Sequence, residues 1–330
     1  MRQKVFSWTI WIFGFLALSL ALSVFSLCVG SAAIPVKEII PLILAGPGSI
    51  EHSILVNIRL PRILLAFTVG GALSLAGVTL QGMFRNPLVE PYTLGISGGA
   101  VLGVCLHIIL GLSAATLPAF GFLGALGVVL LTYSLSLKRG VLRMQGLLLT
   151  GVMVSFICSS LFMLVMAISH TEDLHGIIFW IMGFLEEPNF LLIKLMSAVS
   201  FCLLAVSYLF CFDLNALCLG EQEALHLGVN TERTKRLLFV IASLLTGCSV
   251  AVAGIIGFVG LVVPHFVRMF VGRDYRILLI SSFLCGGSFL IFCDTLARTV
   301  ISPLELPVGV ITGILGGSLF IYALGKRANS

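Results

Sequence analysis

The sequence predicts an all-α integral membrane protein of about ten transmembrane helices, and three observations predict it. Hydrophobic residues fill 59% of the 330 positions and charged residues only 10%, against about 25% charged in a soluble domain. The apolar residues gather into long runs between short polar or Pro-rich breaks, and a bilayer core about 30 Å thick takes roughly 20 apolar residues per helix. Thirty-five glycines would weaken soluble helices, whereas small residues let membrane helices approach closely. Residues 1–330 are therefore read as one transmembrane domain, with no room for a large soluble one.

Taken in order, the run from Trp8 to Val29 behind Met1–Lys4 exceeds the apolar core of a secretory signal and is read as the first span, 8–30. Further spans are expected near 62–83, 93–112, 116–137, 143–168, 190–211, 237–253, 256–269, 277–298 and 307–325. The segments 34–45, with Pro35 and Pro41, and 174–185 read as short helices at the surface. The stretch 237–269 has two readings. Gly254, Gly257 and Gly260 interrupt it and Pro264 removes a backbone hydrogen bond, so it is either a bent hairpin or a span with a half-helix. No tandem repeat of 20–50 residues is visible, which argues against a solenoid.

Lysine and arginine counts set the orientation. With a cytoplasmic N-terminus, 14 of the 19 basic residues fall on the inner side, and Lys37, Arg59, Arg62, Lys194 and Arg298 on the outer. An even number of spans places both termini in the cytoplasm. The net charge of +5 follows this loop bias and gives no reason to expect nucleic acid; membrane lipid is the expected surrounding.

The nine cysteines lie mostly in apolar runs and form no CxxC pair, so they read as packing residues. The six histidines have no HxxxH spacing, and neither a cofactor nor a metal site is expected. His170 and His175 flank Thr171-Glu172-Asp173, a weak cation-site candidate. A membrane-embedded hydrolase would need a nucleophile with its base or clustered metal ligands, and neither HExxH nor GxSxG occurs. A proton-driven carrier would need ionisable groups at mid-membrane. Asp294 is the nearest candidate, but four residues before Arg298 it reads as half of a local ion pair.

The longest inner polar segment runs from Asp213 to Arg236. It mixes Asp213, Glu221, Glu223 and Glu232 with three bases and reads as short helices outside the bilayer, broken at Gly220 and Gly228 and restarted by Asn230-Thr231. A solvated connector and a docking element both fit it. No GxxxxGK[ST] pattern occurs, so the chain is not expected to hydrolyse ATP itself.

The stretch Ile58–Ala100 is unlike a generic span. Two arginines flank Leu60-Pro61, a Gly-rich helix follows, and the chain turns through Asn86-Pro87-Leu88-Val89-Glu90-Pro91 into Gly95, Gly98 and Gly99. With GEQEALHLG from Gly220 to Gly228, GFVGLVVPH from Gly257 to His265, DTLAR from Asp294 to Arg298 and ELPVG from Glu305 to Gly309, it resembles the FecCD type of permease. That family serves ATP-driven importers for iron siderophores, haem and cobalamin, and the blocks follow its order from about residue 55 to 325. The resemblance implies a homodimer with two cytoplasmic ATPase subunits and an external or periplasmic solute-binding protein in a bacterial inner membrane. It implies an ATPase-coupling loop at about 213–236, with Gly220, Glu221, Ala224, Leu227 and Gly228 at the contact. It also implies inner gates at Asn86 and Leu88 and at Met144 and Gln145. For Asn86 a plain turn role before Pro87 is equally in keeping.

Arg59, Arg62 and Arg298 stand on the outer side, against the charge bias. They either snorkel to headgroups and pair locally or, as the resemblance implies, receive acidic residues of the binding protein.

Overall fold

A computed structural model describes residues 2–30, 34–46, 48–138, 140–169, 171–186, 189–302 and 304–328. Its long helices are α1 (Arg2–Cys28), α4 (Leu60–Met83), α6 (Leu117–Ser136), α7 (Met144–Ile168), α9 (Phe190–Leu209), α12 (Thr231–Ala253), α14 (Tyr275–Thr299) and α15 (Val308–Ala328). Between them lie α2 (Val36–Ala45), α3 (Ile50–Ser53), α5 (Ile96–Ile109), α8 (Thr171–Ile181), α10 (Cys211–Leu219), α11 (Glu221–His226) and α13 (Val259–Val271). A two-stranded hairpin, Leu137–Lys138 against Val141–Leu142, joins α6 to α7.

Among the described residues, seven helical stretches are long and apolar enough to cross a bilayer. Three shorter apolar helices, Ile96–Ile109, Val259–Val271 and Val308–Ala323, occupy the other three places where the sequence leads one to expect spans. At 1.5 Å per residue the 13-residue α13 reaches only about 20 Å, short of the hydrocarbon thickness, so it is a half-helix. The ambiguous stretch 237–269 thus becomes a full helix α12, an irregular link over 254–258, and α13.

The helix before the Gly-rich span starts earlier than its hydropathy suggests. It begins at Ile50, widens into a π turn over Ile54–Arg59 and continues to Met83. Pro61, which has no N–H to give, sits just where the ladder returns to the α register. Arg59 and Arg62 are consequently helical residues, not part of a loop ahead of the span.

The helix α4 is the hub, packed on α14, α12, α13 and α9. Small residues make this possible: a Cβ on Gly77 would fall 1.9 Å from the Gly260 carbonyl oxygen, and one on Gly70 2.3 Å from that of Gly286. The most apolar 18-residue window of Ile50–Met83 is 89% buried, whereas those of α1, α6, α7 and α9 are about one-fifth buried and lie on the outside of the bundle.

Candidate functional site: an outer ion cluster and an inner coupling face

At the outer end, charges converge from four segments of the chain. The Arg62 guanidinium donates from Nε to Asp294 Oδ1 at 2.8 Å and from Nη1 to Glu305 Oε2 at 2.7 Å and Glu186 Oε1 at 3.0 Å. Arg298 donates to Asp294 Oδ2 at 3.1 Å and to Ser26 Oγ at 2.7 Å. Arg59 donates to the Leu27 carbonyl at 2.5 Å. The local pair Asp294–Arg298 read from the sequence is present, and it is one part of a larger network.

Arg59, Arg62 and Arg298 are only 3%, 6% and 8% exposed. All three lie inside the chain and bond to internal partners, so the local pairing expected for Arg298 extends to Arg62 and neither guanidinium stands free at the surface. The reason is geometric. Arg62 and Asp294 occupy facing positions of α4 and α14, and a buried charge without a partner would be prohibitive. The exposed members are carboxylates, with the side chains of Glu186 at 60% and Glu305 at 39%. Burial, then its hydrogen bond with Glu305, pushes the Glu186 carboxyl above the usual range.

In the link over 254–258, two backbone N–H groups bond to side chains outside α12 and α13. The Phe258 N–H donates to Glu90 Oε1 at 2.7 Å, and the Ile256 N–H to the Tyr92 hydroxyl at 3.2 Å. Gly254 and Phe258 both have φ of +67°. Irregular backbone within a bilayer is tolerated only where protein groups satisfy it, and Glu90 and Tyr92 do so. Glu90 is an ionisable group that the reading of the sequence passed over because it falls in a turn and not in an apolar run.

At the inner end, α10 and α11 form the expected short helices. Gly220 and Gly228 have φ of +141° and +83°, and the Asn230 side chain caps α12 by accepting from the Arg233 N–H at 3.1 Å. Leu227 is exposed, but Ala224 is fully buried within the chain. That corrects its place: Ala224 seats α11 on its neighbours, and Leu225, 57% exposed, faces outward instead. Leu219 and Phe212 are exposed beside it.

Asn86 accepts from the Leu88 N–H at 3.0 Å, the turn role expected of it, and this presents Leu88 at the surface. Met144 and Gln145 open α7. A cavity of about 560 Å³ is lined by Met144, Gln145, Arg85, Glu221 and Lys235, among others, so one of the implied gates and the implied coupling helix share a space. Asn86 lines a neighbouring cavity of about 400 Å³ with Arg85, Arg268 and Arg273, while Leu227 and Gly228 line a third, of about 820 Å³, with Asp213. Lys235 was counted only as an inner charge; its spacing of three from Glu232 is the one local signal of an ion pair.

Among the described residues, no group of three His, Cys, Asp or Glu is placed to hold a metal. His170 lies outside the described residues, as do the side chains of Thr171, Glu172 and Asp173, so the cation-site candidate there is not described.

Comparisons with known proteins agree with this architecture. The chain is 40% identical over 277 residues to the hemin transport system permease protein HmuU of Yersinia pestis, covering 82% of this chain and 83% of that one. It is 38% identical over 318 residues to the vitamin B12 import system permease protein BtuC of Klebsiella pneumoniae, covering 95% and 93%. A metal-chelate type ABC transporter solved in an inward-facing conformation superposes with a TM-score of 0.86 at 32% identity, over 96% of this chain and 98% of that one. The hub helix, the broken α12–α13 pair and the inner helices α10–α11 all lie within residues 17–326, over which the family model for the FecCD transport family matches, and the chain belongs to that family.

Proposed function

We propose that this permease carries an iron-siderophore, haem or cobalamin-type chelate into the cytoplasm by alternating access, with a separate ATPase supplying the energy. The observation that carries the reading is the 560 Å³ inner cavity, where Glu221 of α11 and Met144 and Gln145 of α7 meet. A partner that moves α11 thereby acts on the residues at the inner mouth. Two ATPase subunits seat on exposed Leu219, Leu225 and Leu227, and a second copy of this chain completes the path. Neither hydrolysis nor tight cargo binding is required of the chain: the partner shifts the population of its two conformations.

The outer binding protein docks over the Arg59, Arg62 and Arg298 cluster. Because Arg62 is engaged, incoming carboxylates compete with Glu186 and Glu305 for its fork, a bidentate site that lysine would not provide. A proton-driven carrier is the second reading, and half-buried Glu90 is the observation that would serve it. Its Oε1 is already spent on the Phe258 N–H, which favours a structural role.

Reconstitution tests both readings. The permease alone in liposomes should neither hydrolyse ATP nor take up cargo, and the complex with its ATPase and binding protein should do both. Uptake driven by a proton gradient without ATP would overturn the proposal in favour of the carrier.

A further inference from the structure

Lys235 is among the largest fully buried side chains of the protein and has 2% of its surface exposed, although it is a lysine at the polar, inner end of a helix. Its ammonium has three N–H donors, and three acceptors surround it: Glu232 Oε1 at 2.5 Å, Glu221 Oε2 at 3.1 Å and the Leu142 carbonyl at 3.3 Å. Each acceptor belongs to a different element. Glu232 lies one turn back on α12, Glu221 opens α11, and Leu142 ends the hairpin that leads into α7.

Leu142 is held twice. Its N–H donates to Glu232 Oε2 at 2.9 Å while its carbonyl accepts from Lys235, so the Glu232–Lys235 pair grips one residue of the hairpin through both of its backbone polar groups. Arg236 adds a hydrogen bond to the Gly140 carbonyl at the hairpin's tip. Met144 and Gln145 follow Leu142 by two and three residues. The third Lys235 donor goes to Glu221, whose side chain is 43% exposed.

A snorkelling or solvated lysine would point its ammonium to water, and this one turns inward instead. A desolvated ammonium is stable only while its acceptors stay in place, so a displacement of α11 that strains the Glu221 contact also loads the grip on Leu142. Loop contacts through water would let the two segments move independently.

We propose that Lys235 is the positioning residue that ties the coupling helix α11 to the inner gate at Met144 and Gln145, so that the two move as one body. The proposal rests on the permease reading above and names the link inside it. Lys235 touches neither cargo nor nucleotide.

The test uses the full transporter in liposomes with its ATPase and binding protein, carrying Lys235→Met, which keeps length and removes the donors, or Glu221→Ala, which cuts only the α11 arm at a half-exposed residue. The ATP consumed per cargo molecule should rise at least about threefold in each, as coupling losses along a contact network do. Glu221→Ala should add nothing further in the Lys235→Met background, whereas Glu223→Ala should add its effect independently. Spin labels at Glu223→Cys and Gln145→Cys should move together on ATP addition in the wild type and lose that correlation in both variants. Wild-type coupling in Lys235→Met overturns the proposal while leaving the permease reading intact. If Lys235→Met fails to assemble, unchanged coupling and label motion in Glu221→Ala overturn it equally. A wild-type complex that shows no ATP-driven uptake overturns the permease reading itself.

Discussion

The two ends of this permease handle charge in opposite ways. At the outer end, Arg62, Arg298 and Asp294 are sealed within the helix bundle and satisfy one another, and only the carboxylates of Glu186 and Glu305 reach the surface. At the inner end a buried lysine, Lys235, lines one cavity with Glu221, Met144 and Gln145, near short helices that carry exposed leucines. The outer network closes on itself between α4 and α14, the hub of the fold, whereas the inner one ties α12, itself packed on α4, to the short helix α11 and to the hairpin before α7. Charge at the outer end therefore joins two helices at the centre of the fold, and charge at the inner end joins a central helix to two short elements.

The largest expected effect breaks the outer half of this contrast. Asp294→Ala leaves Arg62 and Arg298 buried without their shared carboxylate, and losing one partner of a buried ion network costs about 3–5 kcal/mol. Thermal unfolding in detergent should show a large drop in midpoint, and an unchanged midpoint would mean the network stabilises nothing. By contrast Glu221→Ala at the inner end should lower the midpoint less, because Glu232 and the Leu142 carbonyl still hold Lys235 and the Glu221 side chain is half-exposed.

Next comes α11. Ala224→Arg forces a long charged side chain into a fully buried site and should displace the helix, at a cost of about 1–3 kcal/mol for overpacking alone. Leu225→Arg, at an exposed position, should spare the fold and weaken assembly with the ATPase, read by co-purification. Equal loss of stability in both would show that α11 has no outward docking face.

A smaller effect sharpens the account of docking. Glu186→Gln with Glu305→Gln removes two of the carboxylates that compete for Arg62, so the binding protein should dock more tightly, by a few-fold as for rim charges, and with greater salt sensitivity. Weaker docking in this double variant would assign the partner contact to the glutamates themselves.

The smallest effect is a matter of pH. Asp274 accepts from the Arg276 guanidinium and from Asn215 of α10 and caps α14. The hydrogen bond from Arg276, opposed by burial, holds its carboxyl below the usual carboxylate range. A carboxyl depressed in the folded state contributes stability that is present above its unfolded value, about 3.9, and is lost as pH falls through the folded one. The hydrogen-exchange protection of α10, taken relative to the intrinsic rate at each pH, should therefore be flat from pH 7 to about 4 and fall only below, and Asp274→Asn should abolish that acid limb.

Much of the fold was legible because membrane spans are a local property. Hydropathy and breakers placed α6, α7, α9 and α14 to within a few residues and the end of α1 likewise, and Gly254 and Gly257 pointed to the broken pair, while Pro264 lies inside α13. The start of α4 was misplaced because His52, Asn57, Arg59 and Arg62 read as a polar break, while the π turn lets the helix run through them. Of the site, the turn at Asn86, the breaks at Gly220 and Gly228 and the pair Asp294–Arg298 are short-range features and were read correctly. The burial of Ala224 was not, because a six-residue helix has too few positions for its periodicity to declare an inner face.

By itself the sequence determined which segments enter the bilayer, where helices break and which side gathers positive charge, since each follows from the transfer energy and backbone chemistry of neighbouring residues. Only the tertiary structure decided what each charged group faces. Arg62 meets Asp294 across 232 residues, Lys235 meets Leu142 across 93, and Glu90 meets Phe258 across 168. Such pairs are chosen by helix packing, where an ion in a medium of low dielectric must find a partner in space, and no spacing along the chain records which one it finds.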